Sequence, residues 1–262
     1  DEGKGNWAEE YQTLKALLPE EEYKAARSST LNAHYTSPVI IRAIYDAVEQ
    51  MGFESGNILE PAMGVGNFFG MLPPAMQRSR LYGVELDSIS GRIAQKLYPH
   101  ADITVAGFET TERRDFYDLA VGNVPFGNYK VLDKPYNKLG FSIHNYFFAK
   151  TLDQVRPSGI VAYVTSRFTM DSRNSDARRY IAQRAELLGA IRLPNDAFAK
   201  NAGAEVVSDI LFLQKRDYPV DIQPEWTNVA LTEDGHTMNS YFVEHPEMVL
   251  GDIVVESTQY GR

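Results

Sequence analysis

The chain reads as an α/β protein built on a doubly wound, mostly parallel sheet, and three observations carry that reading. Short apolar runs rich in β-branched residues alternate with segments of helical period along 58–214. The first run ends in a glycine-containing turn that opens a helix. An acid closes the second run roughly 20 residues later, the distance at which a second-strand carboxylate reaches ribose hydroxyls in doubly wound folds.

The first run is Ile58-Leu59-Glu60-Pro61-Ala62-Met63-Gly64-Val65-Gly66-Asn67-Phe68-Phe69. It reads as a buried strand, a tight turn and a helix start. Glycines there tolerate positive φ and let the backbone pass close to a ligand. Glu60, at the strand's end, can take ribose hydroxyls or a ligand amine. The pattern is not the dinucleotide fingerprint, because the third glycine slot is Phe69. It is not a phosphate loop either, since no Lys-Ser/Thr follows Gly66. An adenosine ligand without a pyrophosphate fits better. A glycine turn in any α/β protein is the bland alternative.

Upstream, Trp7, Tyr11, Leu14, Leu17 and Leu18 have the spacing of an amphipathic helix that Pro19 interrupts, and a short second helix is expected over 20–27. These are expected to pack. Thr36 or Ser37 can cap a helix with Pro38 in its first turn, running to about Met51 with Ile40, Ile41, Ile44 and Val48 inward. Its N-terminus favours a carboxylate.

Further strands are expected at 81–87, 102–105, 116–122, 160–165, 190–194 and 209–214, with helices at 89–98, 142–156 and 174–188. Glu85 ends the second strand. The fourth ends in Asn123-Val124-Pro125-Phe126-Gly127. Pro125 fixes its own φ and pushes Val124 into an extended conformation, which holds the Val124 carbonyl beside the Asn123 amide. Two fixed acceptors and an aromatic face suit a planar amine substrate. The bland alternative is a common Asn-x-Pro turn. Residues 128–141 read as a mobile loop at the mouth of the site. Tyr146 and Phe147 read as core by their helical spacing.

Net charge is −9, from 26 basic and 35 acidic residues, which argues against a strong, self-sufficient nucleic-acid binder. There is no cysteine, so disulfides and thiolate metal sites are excluded, compatibly with a reducing cytosol. No run approaches the ~18 apolar residues of a membrane span, and no signal peptide opens the chain. The five histidines, His34, His100, His144, His236 and His245, have no metal-ligand spacing. The opening Asp1-Glu2-Gly3-Lys4-Gly5 lacks a Met and reads as an excised or processed end. Beyond Lys215, prolines and scattered acids read as an extended tail or connector.

His34-Tyr35-Thr36-Ser37-Pro38, Glu60-Pro61-Ala62-Met63-Gly64-Val65-Gly66-Asn67-Phe68 and Asn123-Val124-Pro125-Phe126 occur in that order. Over about 31–214 the chain resembles adenine-N6 DNA methyltransferases of the gamma arrangement, including methylation subunits of type I restriction–modification systems. It is similar above all to methylase modules of very large phage and mobile-element proteins, often joined to a helicase. The resemblance implies a seven-stranded Rossmann-like fold that uses S-adenosylmethionine. It divides the chain into an N-terminal helical extension (1–30), a catalytic domain (31–216) and a C-terminal extension or connector (217–262).

By the same resemblance, Tyr35 and Thr36 would sit near the methionine part of the cofactor. Glu60, Pro61, Ala62, Gly64, Gly66, Asn67 and Phe68 would line it. Glu85 would hold the ribose and Phe108 would pack on the adenine. Asn123 would lie beside the cofactor, and with the Val124 carbonyl would accept from the target amine. Pro125 would keep that loop rigid, and Phe126 would stack on a flipped-out base. DNA is the implied partner, with no metal and no membrane, in a cytoplasmic protein of bacterial, phage or mobile-element origin. The same loop type also methylates glutamine amides in translation factors and guanine amines in ribosomal RNA. A non-catalytic methylase-like module is a further alternative. Two positions depart from the family pattern. Val124 replaces a Pro, which leaves the carbonyl in place. Gly107 stands where an acid commonly precedes the aromatic and holds the adenine amine. The stretch after Gln214 is too short for a target-recognition domain, which would be supplied in trans or elsewhere in a longer parent.

Overall fold

In the computed structural model, residues 7–24, 36–198 and 207–253 are described. Tyr35, expected near the cofactor, and His34 lie outside them.

Seven strands form one sheet: β1 (Asn57–Glu60), β2 (Arg80–Glu85), β3 (Asp102–Val105), β4 (Tyr117–Asn123), β5 (Val155–Ser166), β6 (Ala185–Leu193) and β7 (Ser208–Lys215). Their order is β3-β2-β1-β4-β5-β7-β6. All pairings are parallel except those of β7, which runs antiparallel to both β5 and β6. The expected doubly wound, mostly parallel seven-stranded sheet is therefore observed.

The helices include α1 (Ala8–Leu17), α2 (Pro38–Gln50), α3 (Asn67–Gly70), α4 (Ser88–Leu97), α5 (Ile143–Gln154), α6 (Phe168–Asp171), α7 (Asp176–Arg184) and α8 (Ser240–Glu244), and residues 20–24 are helical as well. Ser37 caps α2, its side chain accepting from the Ile40 N–H at 3.4 Å, and Pro38 opens the first turn. Ile40, Ile41, Ile44 and Val48 are buried, as their spacing predicts, in a core layer with Ile58, Leu119, Val121 and Val164. The opposite face of the sheet packs on α5, whose Tyr146, Phe147 and Leu152 are core.

Four expectations need correction. Residues 185–188 belong to β6 and not to the preceding helix. Ala185 pairs with Lys215 and Leu187 with Leu213, so ladder hydrogen bonds outweigh the helix preference of Ala-Glu-Leu-Leu. Residues 128–141 are anchored. Asp133 Oδ2 accepts from Lys150 Nζ at 2.7 Å and from the Tyr146 hydroxyl at 2.8 Å, both on α5. The segment beyond β7 is folded, not extended. It carries a hairpin of β8 (Val229–Leu231) and β9 (Thr237–Asn239), and Trp226, Met238 and Phe242 join the main core. The buried Asn239 amide donates to the carbonyls of Met170 and Trp226, both at 2.8 Å. Finally, α1 buries none of its residues, and Trp7 is 61% exposed.

Buried charge ties this C-terminal segment to the sheet. Arg192 on β6 donates to both Asp209 oxygens, at 2.9 and 3.0 Å, and pairs with Asp171 at 2.8 Å. Its guanidinium lies 4.4 Å from the Phe242 ring centroid. Its carbonyl accepts from the Leu250 N–H at 2.9 Å, beside a parallel bridge from Arg192 to Val249. Arg192→Leu leaves the buried Asp209 without its ion-pair partner and Asp171 with only the longer contact to Arg167 at 3.8 Å. It is expected to lower the unfolding free energy by about 3–5 kcal/mol in urea titration.

Candidate functional site

The site is built where β1 and β4 lie side by side. β1 feeds β2 and β3 on one side, β4 feeds β5 on the other, and the crevice of an open α/β sheet lies at such a reversal. Ile58 pairs with Leu119 and Leu59 with Ala120, which brings the two strands' carboxyl ends together. A Cβ built on Gly122 would sit 3.6 Å from Glu60 Cγ and 3.7 Å from Pro61 Cδ. The glycine turn and the Asn123 loop, distant in sequence, are therefore neighbours.

Glu60 is 3% exposed, and its Oε2 has no hydrogen-bond partner among the described residues. Burial, and then the Glu85 carboxylate, push the Glu60 carboxyl well above the usual carboxylate range. The turn then climbs away from β1. The Met63 N–H donates to the Val84 carbonyl at 3.0 Å, tying the turn to β2. Gly64 (φ +55°) and Gly66 (φ +88°) are left-handed, which explains both glycines. Space above Gly64 is open to 4 Å, whereas a Cβ on Gly66 would strike the Tyr98 ring. Tyr98, just past α4, also donates its hydroxyl to the Gly66 carbonyl at 2.7 Å.

Glu85 ends β2. Its Oε2 accepts from the Gly64 N–H at 2.6 Å and its Oε1 from the Asp87 N–H at 2.7 Å. Burial raises its pKa against those hydrogen bonds. Asp87 caps α4 through Oδ2, which accepts from the Ser90 N–H at 2.9 Å, while its buried Oδ1 has no partner among the described residues. Two orphaned buried carboxylate oxygens, and an open cradle over a positive-φ glycine, fit a ligand rich in hydroxyl and amine donors.

Asn123, the last residue of β4, pairs with Val164 and is partly exposed. The Val124 side chain is buried and its N–H donates to the Val164 carbonyl at 3.1 Å, so only its own carbonyl is available for chemistry. Pro125 and Phe126 are partly buried, Phe126 touching both core layers. The buried His144 of α5 lies against the Gly127 backbone, and desolvation pulls its imidazole down to about 4.

The remaining expected residues distribute unevenly. Pro61 is buried beside Glu60, Ala62 is partly buried and Asn67 is exposed on α3. Thr36 is buried just before α2. Phe68 faces the core and not the crevice: it is buried, and its ring meets Tyr45 edge-on at 6.1 Å. Phe108 is 4% exposed and one face stacks on Phe147 at 4.9 Å. Sequence reasoning missed Tyr98 and His144 as neighbours of the two turns. Neither carries a motif, and both arrive by tertiary packing.

Two measurements follow from this geometry. Gly64→Ala is expected to cost about 1–2 kcal/mol by left-handed strain alone. Gly66→Ala should cost about 1–3 kcal/mol more in the same denaturation assay, because the Tyr98 ring must move. The Glu60 prediction concerns pH. A carboxyl raised in the folded state contributes stability that is present below the ordinary carboxylate range. That contribution is lost as pH rises through the raised value. Thermal melts of the ligand-free chain from about pH 4 to 8 should fall across that window, and Glu60→Gln should flatten the fall.

No protein-family model matches the chain. It is 31% identical over 193 residues to Defense against restriction protein B of Escherichia phage P1, covering 71% of this chain and 8% of that protein. It is 36% identical over 93 residues to the type II methyltransferase M.CvrRI of Paramecium bursaria Chlorella virus XZ-6E, covering 35% of this chain and 24% of that enzyme. The chain thus spans a small part of either relative. Among solved structures, a modification subunit assigned to a type I restriction enzyme of Vibrio vulnificus YJ016 superposes with TM-score 0.59 at 18% identity, over 82% of this chain and 52% of that one. The chain carries the Rossmann-like methyltransferase fold and is a relative of restriction–modification methyltransferases.

Proposed function

We propose that the chain is an S-adenosylmethionine-dependent methyltransferase domain that modifies the N6 amine of a flipped-out adenine in DNA. The observation that carries the reading is the contact between the Glu60–Gly66 turn and the strand end bearing Asn123, seen at Gly122. It sets a site for the methyl donor against a site for an amine. The similarity to a viral methyltransferase and a type I modification subunit supports it.

S-adenosylmethionine, when bound, supplies an electrophilic methyl group. Glu60 and the Gly64–Gly66 backbone hold its amine and hydroxyl donors, with Pro61, Ala62 and Asn67 alongside and Thr36 near the methionine end. Glu85 takes the ribose hydroxyls on the lone pairs that Gly64 and Asp87 leave free. Phe108 would pack against the adenine. An exocyclic amine conjugated to its ring is a poor nucleophile. The Asn123 side-chain oxygen and the Val124 carbonyl accept its two N–H groups and localise the nitrogen lone pair toward the methyl. Phe126 covers the flipped base. Positioning and fixed dipoles supply the rate enhancement. Since the net charge is −9, the basic surface for DNA comes from a partner or a further region of a longer protein. The reading places the protein in the cytoplasm.

Asn123→Ala is expected to reduce methyl transfer to DNA adenine by about 100-fold or more, as for loss of a fixed charge-stabilising group, with S-adenosylmethionine binding retained. The assay is transfer of labelled methyl, with mass spectrometry of digested products. Unchanged transfer refutes the role of Asn123. Label in glutamine with unlabelled nucleosides moves the acceptor to a protein amide. A folded chain that does not bind S-adenosylmethionine is a non-catalytic module.

A further inference from the structure

The turn after β3 contains Gly107, where the resemblance expects a carboxylate before Phe108. The structure brings a carboxylate there from another residue. A Cβ built on Gly107 would run into the Glu109 carboxyl group, both oxygens included. Glu109 therefore folds back and fills the volume that a residue-107 side chain would take. Gly107 has φ −69° and ψ 149°, which any residue adopts, so the backbone does not demand glycine. A side chain at 107 would have to displace the end of the Glu109 side chain from the place it takes here.

The turn beneath Glu109 is held firmly. Phe108 stacks on Phe147, and the Glu109 carbonyl accepts from Lys150 Nζ at 2.9 Å. Lys150 is itself fixed by Asp133. The Glu109 side chain is different. The residue is exposed, and among the described residues no hydrogen bond or ion pair engages its carboxylate. It also stands on the ligand edge of the sheet. Val105, at the end of β3, pairs with Glu85, at the end of β2.

We propose that Glu109 is the specificity-determining carboxylate for the adenine amine of the methyl donor, standing in for the side chain that Gly107 lacks. The assignment rests on the cofactor reading above. A carboxylate accepts only. It binds the N–H of an exocyclic amine and repels the lone pairs of a 6-oxo purine, so it selects adenine over hypoxanthine. Either position can then deliver the acid, and in this chain the Glu109 carboxyl group takes the place beside Gly107.

The test is calorimetric titration of the full chain with S-adenosylhomocysteine and S-inosylhomocysteine, which differ at the purine 6-position. Wild type should prefer the adenosyl ligand by about tenfold or more, the worth of one charge-assisted hydrogen bond. Glu109→Ala should lose that preference, with a thermal melt matching wild type because the residue is exposed. Adding G107D to the E109A background should restore it, since the obstruction above Gly107 is gone. An unaltered preference in Glu109→Ala overturns the assignment and leaves the cofactor reading standing. Wild type that binds neither ligand overturns both.

Discussion

The arrangement depends on one adjacency, the parallel pairing of β1 with β4. Chain direction reverses its spread across the sheet between these strands, so no crossover helix covers their carboxyl ends. Two backbone features then exploit the uncovered edge. β1 delivers a buried carboxyl group on an extended strand and breaks immediately into a left-handed turn. β4 delivers an amide followed by a proline. Each is ordinary alone. Pressed together at Gly122, they make a polar site over an apolar floor.

Holding Glu60 there has a cost. A carboxyl with an unpartnered oxygen in a buried position destabilises the ligand-free fold. The surrounding structure offsets it with layers on both faces of the sheet: the isoleucine face of α2 on one, the aromatic face of α5 on the other. The glycine turn buries Met63 in a small core of its own with Phe69, Ala94 and Ile103. It is held by hydrogen bonds from three sides, through Val84, Glu85 and Tyr98. The turn is thus pinned beside a carboxyl group whose Oε2 has no partner among the described residues.

Much of this was legible in the sequence, for local reasons. The Ser37-Pro38 cap and the isoleucine spacing define α2, and the β-branched runs locate the parallel strands within a few residues. Gly64 and Gly66 announce a positive-φ turn. What the sequence hid is non-local. Ala185 to Leu188 have helix-forming side chains, yet their pairing partners on β7 lie far along the chain. The polar composition of 128–141 looks like a free loop until Asp133 meets Lys150. Phe68 sits in the glycine-turn stretch by order, but its register on α3 points it at Tyr45. Glu109 had no signal, because its meaning lies in where its carboxyl group folds relative to Gly107.

The Arg192 cluster has a practical consequence for the module's borders. β6 is the last strand in the sheet order, and the chain returns after the hairpin to lay Val249 and Leu250 along it. A fragment cut after β7 would keep every residue of the crevice. It would also uncover the edge of β6 and strip the Phe242 ring from a buried guanidinium. Anyone excising this unit from a larger polypeptide, or grafting it into one, should therefore draw the downstream boundary beyond Leu250. The segment past β7 is part of the domain's architecture, and it covers the end of the β6 edge at Arg192.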